Sequence, residues 1–382
     1  MNPRIVIPAL IIALTAASLH ADAETNPIIK DVLTADPAAM VYNDTVYLYT
    51  GHDEAKGREM FTMRDWLCFS SKDMQTWTAH GPIMRVTDFK WAVQDAWASQ
   101  VVPRNGKFYF YAAVQHNNTH GGKAIGVAVS DSPTGPFVDA RGTALITDDM
   151  TPSPNGWDDI DPTILIDDDG AAWMAWGNLN CYLARLKPNM IELDGPIQKI
   201  HVPNYTESPW LQKRGNLYYL SYTAFAHQGM SEKICYATAT NITGPWIYRG
   251  ILTDQAKNSY TIQPAIIEFH DQWYLFYHNA ALPLNGETGG LCRRSVCLEY
   301  LYFNPDGTIQ SVRQTDEGVT VPPKPNPGSA SLFWRRTGKE SFSQGAAFLD
   351  RAVMRGRSAP WDFAMAAYGA NISKNAETVS GK

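Results

Sequence analysis

An all-β chain folded as a five-bladed β-propeller with four-stranded antiparallel blades is predicted by three observations in the sequence. A short pattern of strand, polar turn and aromatic-rich second strand is written five times. Equivalent Tyr or Trp positions recur about every 45 to 65 residues, the range in which self-similarity marks propellers and arrays. No amphipathic helical pattern lies between the copies, which argues against α/β barrels and doubly wound sheets.

The copies begin at Asp36, Ala98, Asp161, Glu207 and Gln263 and reach Tyr47, Tyr109, Trp173, Tyr218 and Tyr274. Further strand-like runs with Gly-Pro or Asp-Gly punctuation lie between them. These are Trp66 to Ser71 with Trp77 to Ile83, Ala124 to Ser130 with Gly135 to Val138, Ile234 to Ala239 with Gly244 to Tyr248, and Ser295 to Phe303 closed by Asn304-Pro-Asp-Gly307. They bring each unit to about four strands. Radial closure is the economical way to hide so many strand edges.

The chain divides into three parts. Residues 1–23 carry Arg4, an apolar run and small residues ending Ala21-Asp22-Ala23, the pattern of a signal peptide cleaved after Ala23. The propeller is expected over 24–320. Residues 321–382 open on the Pro-rich linker Val321-Pro-Pro-Lys-Pro-Asn-Pro-Gly328 and continue as a basic tail without strand alternation. Export to the periplasm or the exterior follows, with no membrane anchor in the mature chain.

The net charge of −6 is unevenly placed: the last 61 residues, from Pro322, carry +5 and the rest −11. An acidic body is a poor partner for nucleic acid, which needs a basic surface. Twelve Trp and eighteen Tyr suit sugar binding, because flat rings stack on sugar faces. The five cysteines sit singly, so at most one bridge, Cys292 to Cys297, is expected, and no zinc spacing is present. His116 and His120 fall in a loop-like run rather than on a helix and are not read as a metal pair. Asp167-Asp-Asp-Gly170 lacks the spaced ligands of a calcium loop and reads as a hairpin turn.

In a propeller the first residue of each copy faces the central channel at one mouth. Three of the five slots hold acids: Asp36, Asp161 and Glu207. Pro37, Pro162 and Pro264 follow their slots, which favours an extended slot residue. Two carboxyls flanking a sugar linkage are the equipment of glycoside hydrolysis. Asp161 neighbours Glu207 by blade order, and its charge disfavours ionising the Glu, so Glu207 is the candidate general acid. Asp36 lies two blades away from Glu207 and is the candidate general base; the wider separation points to inversion, with Asp161 tuning the acid and orienting the sugar. Trp97, next to the second slot, is either a stacking wall or core between blades, whereas Trp91 and Trp157 are read as packing residues.

These residues resemble glycoside hydrolase family 43. The motifs that carry the likeness are Ala35-Asp36-Pro37, Tyr49-Thr-Gly-His-Asp-Glu54, Asp95-Ala-Trp-Ala-Ser-Gln100, Trp157-Asp-Asp-Ile-Asp-Pro-Thr163, Tyr205-Thr-Glu-Ser-Pro-Trp210 and Arg293-Arg-Ser-Val296. The resemblance implies a five-bladed fold from Asn26 to Val319 and gives Asp36, Asp161 and Glu207 the base, modulator and acid roles. It adds Arg294 as a reader of the sugar, with Arg293 left to packing or surface. It implies an exo-acting α-L-arabinofuranosidase or β-xylosidase on arabinoxylan-type hemicellulose or its oligosaccharides. An endo-arabinanase of the same fold and a non-catalytic carbohydrate-binding propeller stand as alternatives. No cofactor is required. Many relatives carry His at the Gln263 slot, where it helps hold calcium or water; Gln offers calcium a carbonyl oxygen but no imidazole, so a structural calcium in the channel stays open.

Overall fold

The computed structural model describes residues 26–320 and 322–323, apart from residues 58, 118–120, 152–155, 227–230 and 288. The signal segment, His120 and all of the linker and tail except residues 322–323 lie outside the described residues.

Each of the five sequence copies folds as the innermost hairpin of one sheet. The first blade is β1 (Thr34–Val41), β2 (Val46–His52), β3 (Asp65–Ser71) and β4 (Thr78–Arg85). In the second, β5 (Ala92–Gln94) and β6 (Ser99–Arg104) both pair with β7 (Lys107–His116). Its β8 (Lys123–Ser130) is edged by β9 (Val138–Asp139) and β10 (Ile146–Thr147). The third holds β11 (Thr163–Ile166), β12 (Ala172–Trp176), β13 (Cys181–Leu186) and β14 (Gln198–Ile200), and the fourth β15 (Glu207–Arg214), β16 (Leu217–Phe225), β17 (Glu232–Ala239) and β18 (Ile247–Thr253). The fifth is β19 (Ala265–Phe269), β20 (Gln272–Asn279) and β21 (Ser295–Leu301). Strands β1, β6, β11, β15 and β19 touch in that order, and β1 meets β19, which closes the ring.

Two blades depart from the expected four strands. In the second sheet the inner and outer positions are each shared by two short strands, giving six. The fifth has three, and residues 26–28 lie beside β21: Ile28 N–H donates to Val296 O at 2.9 Å, and Leu298 N–H to Asn26 Oδ1 at 2.8 Å. The start of the domain thus locks onto its last blade. The Asn26 side chain also donates to Leu298 O, Glu299 Oε1 and Thr315 O at 3.2, 3.1 and 2.9 Å. Asn26→Ala removes four bonds from a buried closure and should lower unfolding free energy by about 2–3 kcal/mol, read as a lower urea midpoint at unchanged m.

The core is a set of seams between blades. Blades one and two meet at Trp66, whose ring lies 5.1 Å from Phe110; Tyr111 and Trp176 join blades two and three; Tyr222 joins three and four. The largest seam binds the fourth and fifth blades to the first. Aromatic alternation in each hairpin supplies these contacts, and each large apolar side chain so buried contributes about 1.5–3 kcal/mol. All five cysteines are buried and free. The Cys292–Cys297 bridge does not form, because Cys292 packs in the seam of blades one and two while Cys297 packs in that of the fifth blade. Asp167–Gly170 makes the β11–β12 hairpin turn, with Gly170 N–H donating to Asp167 O at 2.9 Å.

Candidate active site

Two of the slot residues do not run extended. Asp36 and Asp161 have φ of +51° and +58°, in the left-handed region, and Ser208, next to Glu207, has +54°. The pairing register slips between Ala35 and Ala38 in β1 and between Glu207 and Trp210 in β15. Bulges at these strand starts aim the side chains into the channel mouth, at a cost of about 1–3 kcal/mol for each strained residue. Asp tolerates the left-handed region better than most residues, so an acid in the slot serves both backbone and chemistry.

Asp36, Asp161, Glu207 and Gln263 line one cavity with Arg294, Thr261, Trp97 and Trp157; its empty volume, open mouth included, is about 380 Å³. Ala98 is buried and does not line it; its neighbour Trp97 occupies that side. Trp157, expected to pack, is a wall of the cavity. Trp91 packs as expected, stacked on His116 with ring centres 5.3 Å apart. Arg293 reaches Glu287 at 3.7 Å, away from the cavity lining.

Arg294 is almost fully committed. Its Nε donates to Asp53 Oδ2 at 2.9 Å, and its Nη1 to Asp36 Oδ1 at 2.9 Å and Thr261 Oγ1 at 3.1 Å. Nη2 is left for a ligand, its hydrogen-bond partner among the described residues being Met63 Sδ at 3.8 Å. Burial raises the Asp36 carboxyl, the guanidinium opposes that rise, and the nearby Asp53 charge adds to it. His278, fully buried, accepts the Asp36 backbone N–H at Nδ1, 3.2 Å away, so its proton sits on Nε2 and faces Thr261 Oγ1 at 3.0 Å. Burial and Arg294 hold this imidazole neutral, well below its usual range.

Glu207 and Asp161 form the opposite side. Burial is the main force that lifts Glu207, to about 7; the Asn178 amide, donating to Oε2 at 2.7 Å, opposes it, and the Asp36 charge adds to it. Burial thus comes ahead of charge in lifting Glu207, and the Glu207–Asp161 repulsion that the sequence predicts acts within the pair. Asp161 is itself raised, by burial first and then by the charges of Glu207 and Asp36, against two donors from Ser208: N–H at 3.0 Å and Oγ at 3.1 Å, both on Oδ2. Two donors on Asp161 against one on Glu207 favour charge on the former and the proton on the latter. Behind them Glu232, fully buried on β17, is raised by burial and by both carboxyls.

The Asp95-Ala-Trp corner is pinned by a buried cation that sequence reasoning missed. Lys123 donates to Asp95 Oδ2 at 2.5 Å, and its ammonium lies 3.4 Å from the Trp97 ring centre and 5.0 Å from that of Trp157. The ion covers one face of the Trp97 ring, which lines the cavity while almost wholly buried. Lys123→Met leaves the Asp95 carboxylate buried without its ammonium and should cost about 3–5 kcal/mol in a thermal melt; adding Asp95→Asn should recover most of it.

At the Gln263 slot the amide Oε1 accepts from the Ser208 hydroxyl at 3.4 Å, and this carbonyl oxygen is what the side chain would offer a calcium ion. Among the described residues, the group of three acidic or imidazole side chains with donor atoms within 4.8 Å of one another is Asp148, Asp158 and Asp159, outside the ring.

A closed propeller whose channel mouth holds three buried carboxyls, one paired with arginine and one kept protonated near neutrality, defines a glycoside hydrolase. Residues 24–309 match the family model for glycosyl hydrolases family 43, and the chain belongs to that family. It is 27% identical to a xylosidase/arabinosidase of Humicola insolens over 74% of this chain and 98% of that protein. It is 30% identical to an arabinoxylan arabinofuranohydrolase of Bacillus subtilis over 79% of this chain and 67% of that one. Among solved structures, a β-xylosidase/α-arabinofuranosidase from a compost microbial metagenome, in complex with xylotriose and calcium-free, superposes with a TM-score of 0.66. It is 27% identical, over 76% of this chain and 97% of that one.

Proposed function

We propose that this chain is an exported, inverting exo-glycosidase that removes terminal or side-chain α-L-arabinofuranosyl or β-D-xylosyl units from arabinoxylan-type hemicellulose or its oligosaccharides. Glu207 protonates the departing glycosidic oxygen. Asp36, held ionised by Arg294, takes a proton from the attacking water, and Asp161 orients the sugar and shares the proton balance with Glu207. Arg294 reads a sugar hydroxyl through Nη2, and Trp97 serves as a wall of the sugar's cavity. The steps use no redox cofactor or nucleotide. Residues 1–23 act as the leader.

The observation that carries this reading is the electrostatic division of one cavity: Asp36 bonded to a guanidinium at 2.9 Å, and Glu207 lifted to about 7. The relatives named above, which act on xylosides and arabinosides, supply the substrate class. A proton NMR time course with an aryl α-L-arabinofuranoside and an aryl β-D-xyloside tests it. The first sugar released should have the opposite anomeric configuration to its substrate. Retention with either would overturn inversion, and oligomers rather than monomer from linear arabinan would overturn the exo reading.

A further inference from the structure

A second group of three carboxyls lies behind the ring. Asp148 stands in the short turn Asp148–Met150 after β10; Asp158 and Asp159 stand in the segment that leads into Asp161. The last two are fully buried. One oxygen of each is held by the protein: Tyr182 Oη donates to Asp158 Oδ2 at 3.2 Å, and Thr151 Oγ1 and Trp176 Nε1 donate to Asp159 Oδ1 at 2.8 and 3.0 Å. The other oxygens, Asp158 Oδ1 and Asp159 Oδ2, are buried without a hydrogen-bond partner, and so is Asp148 Oδ1. Native structures rarely leave such atoms orphaned.

Burial and repulsion within the trio raise all three carboxyls, Asp159 to about 7, against the hydrogen bonds from Thr151, Tyr182 and Trp176; among the described residues no lysine or arginine pairs with them. Gly122 packs against the trio: a Cβ there would come 3.0 Å from Asp148 Cγ and Oδ1. An all-oxygen donor set suits a hard divalent cation. Donor atoms within 4.8 Å of one another fit across an ion that coordinates at about 2.3–2.6 Å, the range of calcium, better than one at about 2.0–2.1 Å, that of magnesium.

We propose that Asp148, Asp158 and Asp159 form a calcium site, distinct from the channel, that holds the segment carrying Trp157 and Asp161 in place. The connection to the ring is short. Asn178 N–H donates to Asp158 O at 3.3 Å, and the Asn178 side chain is the donor to Glu207. The ion therefore braces the backbone behind both Asp161 and Glu207.

The full chain, freed of metal with a chelator, is titrated with Tb³⁺ while its tryptophans are excited; Trp176, bonded to Asp159, is placed to sensitise the ion. Saturable emission that Ca²⁺ displaces is expected, with a rise in Tm of about 5 °C at saturating Ca²⁺. Asp159→Asn and Asp148→Asn should each weaken Ca²⁺ binding at least tenfold. Asp148 is partly exposed, so its variant should fold, and without calcium it should melt at or above the wild type, since one repelling charge is gone. Asp161→Asn should keep the full response. Absence of Ca²⁺-displaceable emission, or emission lost in Asp161→Asn and kept in Asp159→Asn, would overturn the site without touching the hydrolase reading.

Discussion

Glu207→Gln lowers kcat/KM on an arabinoxylan oligosaccharide by about 10³-fold, within the usual range for removing a general acid, and this corresponds to about 4 kcal/mol of lost transition-state stabilisation. The same variant loses far less on an aryl pentoside whose phenol leaves as a stable anion, because that oxygen needs no proton. Amide and carboxyl have nearly the same shape, so binding is kept and the difference between substrates reports the proton alone. The pH profile checks it independently. A group that works protonated and titrates near 7 makes wild-type kcat/KM fall about tenfold per pH unit above that point. The glutamine variant has no proton to lose there, and its alkaline limb should be flat. Equal losses on both substrates would assign Glu207 to binding or folding instead.

The periodic part of this molecule was legible from the chain: five aromatic hairpins, the slot that opens each, and three acids in five slots. These features are local, since a hairpin is specified by about a dozen neighbouring residues. What escaped reading depends on contacts across the ring. Asp53 lies inside the Tyr49–Glu54 motif, yet its role comes from Arg294, 241 positions away. Ser208 lies inside the Glu-Ser-Pro motif, and its role comes from Asp161, 47 positions back. Lys123 and Asn178 sit in no motif and matter only because the fold sets one under Trp97 and the other against Glu207. The proline rule failed at Asp36, where a bulge in β1 overrides a local preference for extended backbone, and at Asp161. Trp157 was read as packing and is a wall of the cavity, since either use asks for the same side chain.

Arg294→Met should be the most damaging single change in the ring. The guanidinium is buried and bonded to both Asp36 and Asp53, each at 2.9 Å, so its loss leaves two carboxyls in a cavity wall with no counter-charge. Breaking one such pair costs about 3–5 kcal/mol, and here two acids share one cation. The pH dependence follows from sign. Arg294 is the force that lowers both acids against burial. Without it their folded pKa values rise further above the unfolded ones, so the stability they contribute is present at low pH and is lost as pH rises through the raised values. The deficit in urea unfolding should therefore be small near pH 4 and largest near pH 7. Arg294→Lys recovers little, because one ammonium cannot hold the two-sided fork. Adding Asp53→Asn to Arg294→Met removes one of the stranded charges and should restore part of the stability. Activity should stay low, because Asp36 still lacks the cation that keeps it ionised and the sugar still lacks the Nη2 donor. Recovery of stability and activity together would show that Arg294 serves only the fold.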